Sequence, residues 1–160
     1  MERAVHPFPA LFDSRSEILI LGSFPSVRSR ETGFFYGHPQ NRFWLVLAAL
    51  YGERVPQTIP EKKALLLARR VALWDVIASC EIAGSSDASI RGAAPNDLRP
   101  ILETAPIRRI FCNGGTAFRL YGRYQRPLLG RDAVLLPSTS PANAAWRPDD
   151  LIRAWSAILE

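Results

Sequence analysis

Sulfur and imidazole are scarce in this chain. Its two cysteines, Cys80 and Cys112, and its two histidines, His6 and His38, lie far apart in sequence. They are too few and too scattered for the four-ligand clusters that hold zinc or iron–sulfur centres, so no metal or other cofactor is implied. Both cysteines sit in apolar, strand-like runs and are expected as buried free thiols in a reducing compartment. Long apolar runs are missing as well: none approaches the roughly 18 residues of a membrane span. The N-terminus lacks the charged-then-apolar shape of a signal peptide, which makes a cytoplasmic protein with no membrane partner the expectation. Lysine is almost absent, Lys62 and Lys63 being the only two among 20 basic residues. The net charge of +5 and the pI near 9.8 are therefore the work of arginine, whose planar fork pairs with phosphate and stacks on bases. That balance fits a nucleic-acid partner; composition alone fits equally a genome that encodes arginine wherever a cation will do.

What is present suits one domain over residues 1–160, with 48% apolar residues to build a core. No repeat, low-complexity tract or linker divides it. Met1 to Ser16 carries His6-Pro7-Phe8-Pro9 and Leu11-Phe12 and reads as an ordered arm packed across a sheet edge. Glu17 to Leu21 is a short apolar run of the kind expected for a strand buried on both faces. Apolar positions at helical spacing run from Asn41 to Gly52 and, after Pro60, from Glu61 to Arg70. Val71 to Ile82 reads as the second strand with its exit loop, and Gly84 to Pro95 as a long polar loop. A short helix capped by Asn96-Asp97 follows, then a third strand over Arg108–Cys112 that turns at Asn113-Gly114-Gly115 into a helix from Thr116 to Tyr121. A fourth strand over Ala133–Leu136 opens into Pro137–Asn143, and Pro148 starts the closing helix to Leu159. Strands alternating with helices predict a parallel α/β sheet.

Three strand ends in this reading point the same way: Gly22-Ser23-Phe24-Pro25, Asn113-Gly114-Gly115 and Ser138-Thr139-Ser140-Pro141. Open α/β sheets bind their ligands at that edge. Glycine, proline and serine end strands in any α/β protein, but the first loop adds four rings, Phe24, Phe34, Phe35 and Tyr36, and the polar edges of His38, Gln40 and Asn41. Flat faces beside hydrogen-bonding edges are what a nucleobase needs. Phe34, Phe43 and Trp44 are expected in the core. Tyr36, between Gly33 and Gly37, is expected as a stacking platform, while for His38 beside Pro39 a bond to a backbone group is the more common fate of a lone histidine.

The string GSFPSVRSRETGFFYGHPQNRFW, from Gly22 to Trp44, resembles the first motif of the uracil-DNA glycosylase superfamily. Its GF-x-x-x-HP-x-NRFW portion is similar to mismatch-specific uracil-DNA glycosylases, and the loop STSPAN (Ser138–Asn143) with the segments LWDV and PNDL is similar to the hypoxanthine-DNA glycosylase branch. The resemblance implies a three-layer α/β/α fold with a central four-stranded parallel sheet. It also implies an enzyme that acts on DNA containing deaminated bases, cutting the N-glycosidic bond after flipping the nucleotide out of the duplex. One departure is informative: where mismatch-specific relatives place a water-positioning Asn, this chain has Phe24. In the hypoxanthine branch the implicated residue matches Asn41. Asn41 also suits a helix cap bonded to the amides of Phe43 or Trp44, and a cap can still lend its oxygen to a water.

Bond cleavage passes through a sugar with oxocarbenium character and a base that gathers negative charge. Ser23, the backbone N–H groups of Phe24 and Ser26, and the hydroxyls of Ser138 and Ser140 are the expected donors to the base, and Asn41 the residue that orients water. Gly22, Phe24, Pro25, Ser26, Tyr36, His38 and Asn113 form the expected base pocket. Arg28, Arg30 and the loop Ser138, Thr139, Ser140, Pro141, Ala142, Asn143 are expected against DNA, with Arg123 and Arg147 as further phosphate ligands and Ala142–Trp146 as the wedge. Both lysines lie away from the strand ends, so no amine is placed to form a Schiff base, and a monofunctional, monomeric hydrolase is predicted. A DNA-binding module that does not cut, and an enzyme on free nucleosides, remain as alternatives.

Overall fold

The computed structural model of the chain describes residues 1–160. Four parallel strands form the central sheet: β2 (Ile18–Gly22), β3 (Val71–Asp75), β6 (Arg109–Asn113) and β7 (Val134–Leu136), in the order β3-β2-β6-β7. A second sheet is antiparallel, with β4 (Ile77–Ile82) between β1 (Glu2–Val5) and β5 (Arg91–Pro95). The helices are α1 (Val27–Thr32), α2 (Phe43–Tyr51), α3 (Ile59–Ala68), α4 (Arg99–Thr104), α5 (Gly115–Tyr124), α6 (Arg126–Leu129) and α7 (Pro148–Trp155).

β2 is central and buried throughout because its five apolar or small residues meet helices on both faces. Ile18 and Ile20 point toward Phe43 and Leu47 of α2, Leu66 of α3 and Leu151 and Trp155 of α7. Leu19 and Leu21 point the other way, toward Ile101 of α4 and Ala117, Leu120 and Tyr121 of α5. This alternation produces the three layers. The two thiols are free and buried, and burial pushes that of Cys112 up to about 12. No helix is long and apolar enough to cross a membrane.

Three expectations are corrected. The run Val71–Ile82 is two strands in two sheets: after Asp75 the chain leaves the parallel sheet, and Asn96 holds the bend by donating to the carbonyls of Asp75 (2.8 Å) and Ile77 (3.1 Å). The loop Gly84–Pro95 ends in β5, and a 3-10 turn over Asp87–Ser89 interrupts it. The arm does meet a sheet edge, Leu11 bridging Leu73 of β3, but its first residues form β1, paired in register from Glu2↔Ile82 to Val5↔Ser79.

Candidate active site

β2, β3, β6 and β7 all end at one edge, and their exits enclose a cavity of about 140 Å³. Gly22–Ser26, Tyr36, His38, Asn41, Asp75, Asp87, Asn113 and Ser138–Pro141 surround it. The three strand ends read from the sequence are thus brought together.

One wall is a chain of hydrogen bonds. The backbone N–H of Phe43 donates to Asn41 Oδ1 (2.9 Å), and Thr139 Oγ1 donates to the same oxygen (2.9 Å). Thr139 Oγ1 in turn accepts from Asn113 Nδ2 (3.0 Å), and the Thr139 N–H donates to Asn113 Oδ1 (3.0 Å). Backbone N–H groups, which only donate, anchor both ends, so both carboxamides have their orientation fixed. Asn41 does cap toward Phe43, as the sequence allowed, and its oxygen is fully engaged; its Nδ2 is the group left for the cavity. Thr139 is fully buried. The expectation that it contacts DNA is corrected: it is the link between the two asparagines.

The floor was not foreseen. Asp75, in register opposite Gly22, is 3% exposed, and its Oδ2 lies 2.7 Å from His6 Nε2. Phe8 and Trp74 enclose the His6 ring, with centroids at 4.6 and 4.4 Å. A Cβ on Gly22 would stand 2.4 Å from Asp75 Oδ1 and 3.2 Å from Tyr36 Oη, so only glycine fits. Tyr36 sits at φ +51, in the region that L side chains seldom adopt, and its ring stacks on Phe43 with centroids 4.2 Å apart. Its hydroxyl is buried without a hydrogen-bond partner. Burial, then the charge of Asp75, push the phenol up, with the nearby Asn113 side chain pulling the other way, so it stays protonated. A second carboxylate, Asp87, accepts from Ser23 Oγ at 2.8 Å. Desolvation in the cavity raises its pKa; the Ser23 bond opposes this and the Asp75 charge adds to it. The Ser23 hydroxyl proton is therefore committed to Asp87, which corrects its expected use as a donor to the base.

The remaining predicted residues divide. Phe24 is buried beside His6, and Pro25 lines the cavity. Ser26 Oγ caps α1 by accepting from the Ser29 N–H, and His38 Nδ1 accepts from the Gln40 N–H, the simpler of its two expected fates. Arg28 is exposed, whereas Arg30 donates to the Gly84 carbonyl at 2.7 Å and lies over the Phe24 ring, so it acts as a strut. Ser138 Oγ accepts from the Ser140 N–H, Ser140 Oγ from the Ala142 N–H, and Asn143 Nδ2 donates to the Ser138 carbonyl, all closing their own loop. Arg42, which the sequence reading passed over, ties that loop to α2 by donating to the carbonyls of Thr139, Ser140, Asn143 and Trp146. Arg147 is exposed at the start of α7; Arg123 is near the far end of α5, about 12 Å along the helix from Gly115. Neither lysine lines the cavity: Lys62 and Lys63 cover the rings of Trp44 and Phe34. No group of three or more His, Cys, Asp or Glu side chains is placed to hold a metal ion.

A signal for the missed residues did exist. Asp75 is a carboxylate at the end of a wholly apolar strand, where a charge has no place unless a site needs it.

The chain is similar to known proteins over nearly its whole length. The profile of the uracil DNA glycosylase superfamily matches residues 9–159. The hypoxanthine DNA glycosylase of Methanosarcina acetivorans is 39% identical over 140 residues, covering 85% of this chain and 86% of that one. Its namesake from Methanosarcina barkeri is 32% identical over the same shares. Among solved structures, the NMR structure of a candidate uracil DNA glycosylase from Methanosarcina acetivorans superposes with a TM-score of 0.78 at 33% identity, covering 96% of this chain and 97% of that one. With the cavity at the strand ends, these likenesses settle membership: the chain belongs to the uracil DNA glycosylase superfamily.

Proposed function

We propose that this protein is a monofunctional DNA glycosylase that hydrolyses the N-glycosidic bond of deaminated bases, hypoxanthine and uracil, and leaves an abasic site. The observation that carries this reading is the cavity itself, in which one stacked ring and two amide donors meet at the carboxyl ends of four parallel strands. The two Methanosarcina relatives bear the name of hypoxanthine DNA glycosylase, which supports the choice of base.

A flipped base enters beside Tyr36, whose other face is backed by Phe43. Asn41 Nδ2 and the remaining N–H of Asn113 are the donors left for the cavity. Hypoxanthine and uracil carry a carbonyl where adenine and cytosine carry an amine, so such donors accept the first pair and reject the second. As the bond stretches, the same donors meet the growing negative charge on the base, which lowers the barrier more than it strengthens ground-state binding. Arg28 and Arg147 hold flanking phosphates, and Ala142–Trp146 enters the duplex as the wedge. With no amine at the cavity the sugar stays intact after the base leaves.

Phe24, a buried ring at the loop position next to Ser23, favours one competing reading, a module that binds deaminated bases without cutting them. Alkali-revealed strand scission of labelled oligonucleotides bearing hypoxanthine, uracil or xanthine decides between the two. Alkali-dependent cleavage that Asn41→Ala slows by about a hundredfold or more, with DNA affinity retained, is the expected result. Binding without scission on every base establishes the module instead.

A further inference from the structure

Beside the base cavity lies a second, more open groove of about 540 Å³ that excision itself does not use. Asp87, Ser138 and Ser140 line both, so the two are continuous, while Gly115, Leu135 and Trp146 belong to the groove alone. We propose that the groove is a second nucleobase subsite, in which the base next to the lesion in the same strand leaves its stack and lies against Trp146. This rests on the reading above that a deaminated base of DNA occupies the cavity.

Trp146 differs from the other tryptophans of the chain. Trp44 and Trp155 are buried and donate through Nε1 to the carbonyls of Tyr36 and Pro137, and Trp74 is half-buried against His6. Trp146 is 39% exposed, and Leu135, at 50%, leaves a second apolar surface in the same groove. Large apolar side chains gathered at an open groove mark a binding surface. The platform is also held in advance: the Trp146 N–H donates to the Asn143 carbonyl at 3.1 Å, and Arg42 donates to the Trp146 carbonyl. A backbone fixed at both groups has little freedom left to lose when a base stacks on the ring.

Continuity and charge select the occupant. A nucleotide flipped into the cavity leaves its neighbour without one stacking partner, and the rim of Asp87, Ser138 and Ser140 that the two cavities share is where that neighbour arrives. Arg147 follows Trp146 directly, and Arg119 lies one turn, roughly 6 Å, along α5 from Gly115. Both are exposed and neither forms an ion pair within the chain, so free cations stand near the groove for the phosphates of the strand that enters it. An apolar peptide pairing with the sheet edge fits less well, because β7 offers only three residues. Stacking is indifferent to which base is presented, so the groove senses an unpaired neighbour and not a sequence.

The test is binding of the intact protein to single-stranded oligonucleotides whose lesion is the cleavage-resistant 2′-fluoro-2′-deoxyinosine, followed by tryptophan fluorescence. Binding should quench the wild type, and an abasic unit in place of one of the two neighbours should weaken binding about tenfold and remove most of the quench. Trp146→Ala should bind the intact oligonucleotide about tenfold more weakly, and the abasic neighbour should then cost nothing further. Trp146→Phe, which still stacks, should hold affinity within about threefold of wild type and lose the quench. An abasic penalty that persists undiminished in Trp146→Ala overturns the assignment. So does a wild type that shows no quench, or a quench that survives in Trp146→Phe, since its source is then Trp74. A Trp146→Ala loss seen only on duplexes, and only while the base opposite the lesion is present, overturns it in favour of that orphaned base. A wild type that is quenched through Trp146 but excises no base overturns the hydrolytic reading and leaves the subsite standing; one that binds no lesion-bearing strand overturns both.

Discussion

The two sides of the cavity treat their polar groups in opposite ways. On the wall formed by β6, β7 and the start of α2, Asn41, Asn113 and Thr139 satisfy one another and are anchored by two backbone N–H groups. On the floor at the ends of β2 and β3, Asp75 Oδ1, the Tyr36 hydroxyl and His6 Nδ1 have no partner, and the last two are fully buried. An unpartnered buried polar group costs about 1–3 kcal/mol, so a fold keeps one only where something else is gained. The wall is architecture that fixes the direction of two amides. The floor carries polar groups that the chain itself leaves unpaired.

The largest effect expected from this contrast comes from breaking the wall. Thr139→Val keeps shape and burial but removes the oxygen between the two carboxamides, leaving Asn113 Nδ2 without its partner and Asn41 Oδ1 half satisfied. A loss of about 2 kcal/mol follows from the unmade bonds, which for a chain of this size lowers Tm by roughly 4–8 °C. Thr139→Ser retains the hydroxyl and should melt well above the valine variant. Equal melting of the two would mean that the methyl, and not the network, is what matters at this position.

The floor should respond with the opposite sign. Tyr36→Phe removes a buried hydroxyl that bonds to nothing in the chain, so Tm should hold within roughly 1 °C or rise slightly. A fall of several degrees would place the Tyr36 hydroxyl among the engaged groups of the wall and dissolve the contrast.

These two sides were not equally legible in the sequence. The wall lies on loops whose Gly, Pro and Asn punctuation announces strand ends, and the apolar runs around Ile20, Leu73, Phe111 and Leu135 mark all four strands of the parallel sheet, the second without its true end. What no local pattern could say is that Thr139 turns inward and Ser140 does not. The floor was hidden for two reasons. Asp75 sits in VALWDVIASCEI, where the chain changes sheets at Val76 without a glycine or proline to mark it. His6 lies between β1 and a proline-rich stretch, and β1 (ERAV) and β5 (RGAAP) are short, with little of the alternation that identifies a strand. Both owe their existence to pairing with β4, a long-range contact that a reading along the chain does not contain.

Asp87 lies between the two cases, since Ser23 satisfies one of its oxygens and desolvation still raises its pKa above the ordinary carboxylate range. Unfolding returns the group to that range, so the fold favours the protonated form. Its contribution to stability is complete below the unfolded value and is lost as pH rises through the raised folded value. Asp87→Asn is uncharged throughout and can still accept from Ser23. It should therefore raise Tm at pH 7–8 relative to wild type, with the difference fading toward pH 3. Because Asp87 belongs to an exposed turn, solvent screening keeps the gain small, roughly 1–2 °C, within reach of paired thermal melts across that pH series. A variant that melts below wild type at pH 8 would mean that the Ser23 bond outweighs desolvation, and Asp87 would then belong with the engaged groups of the wall.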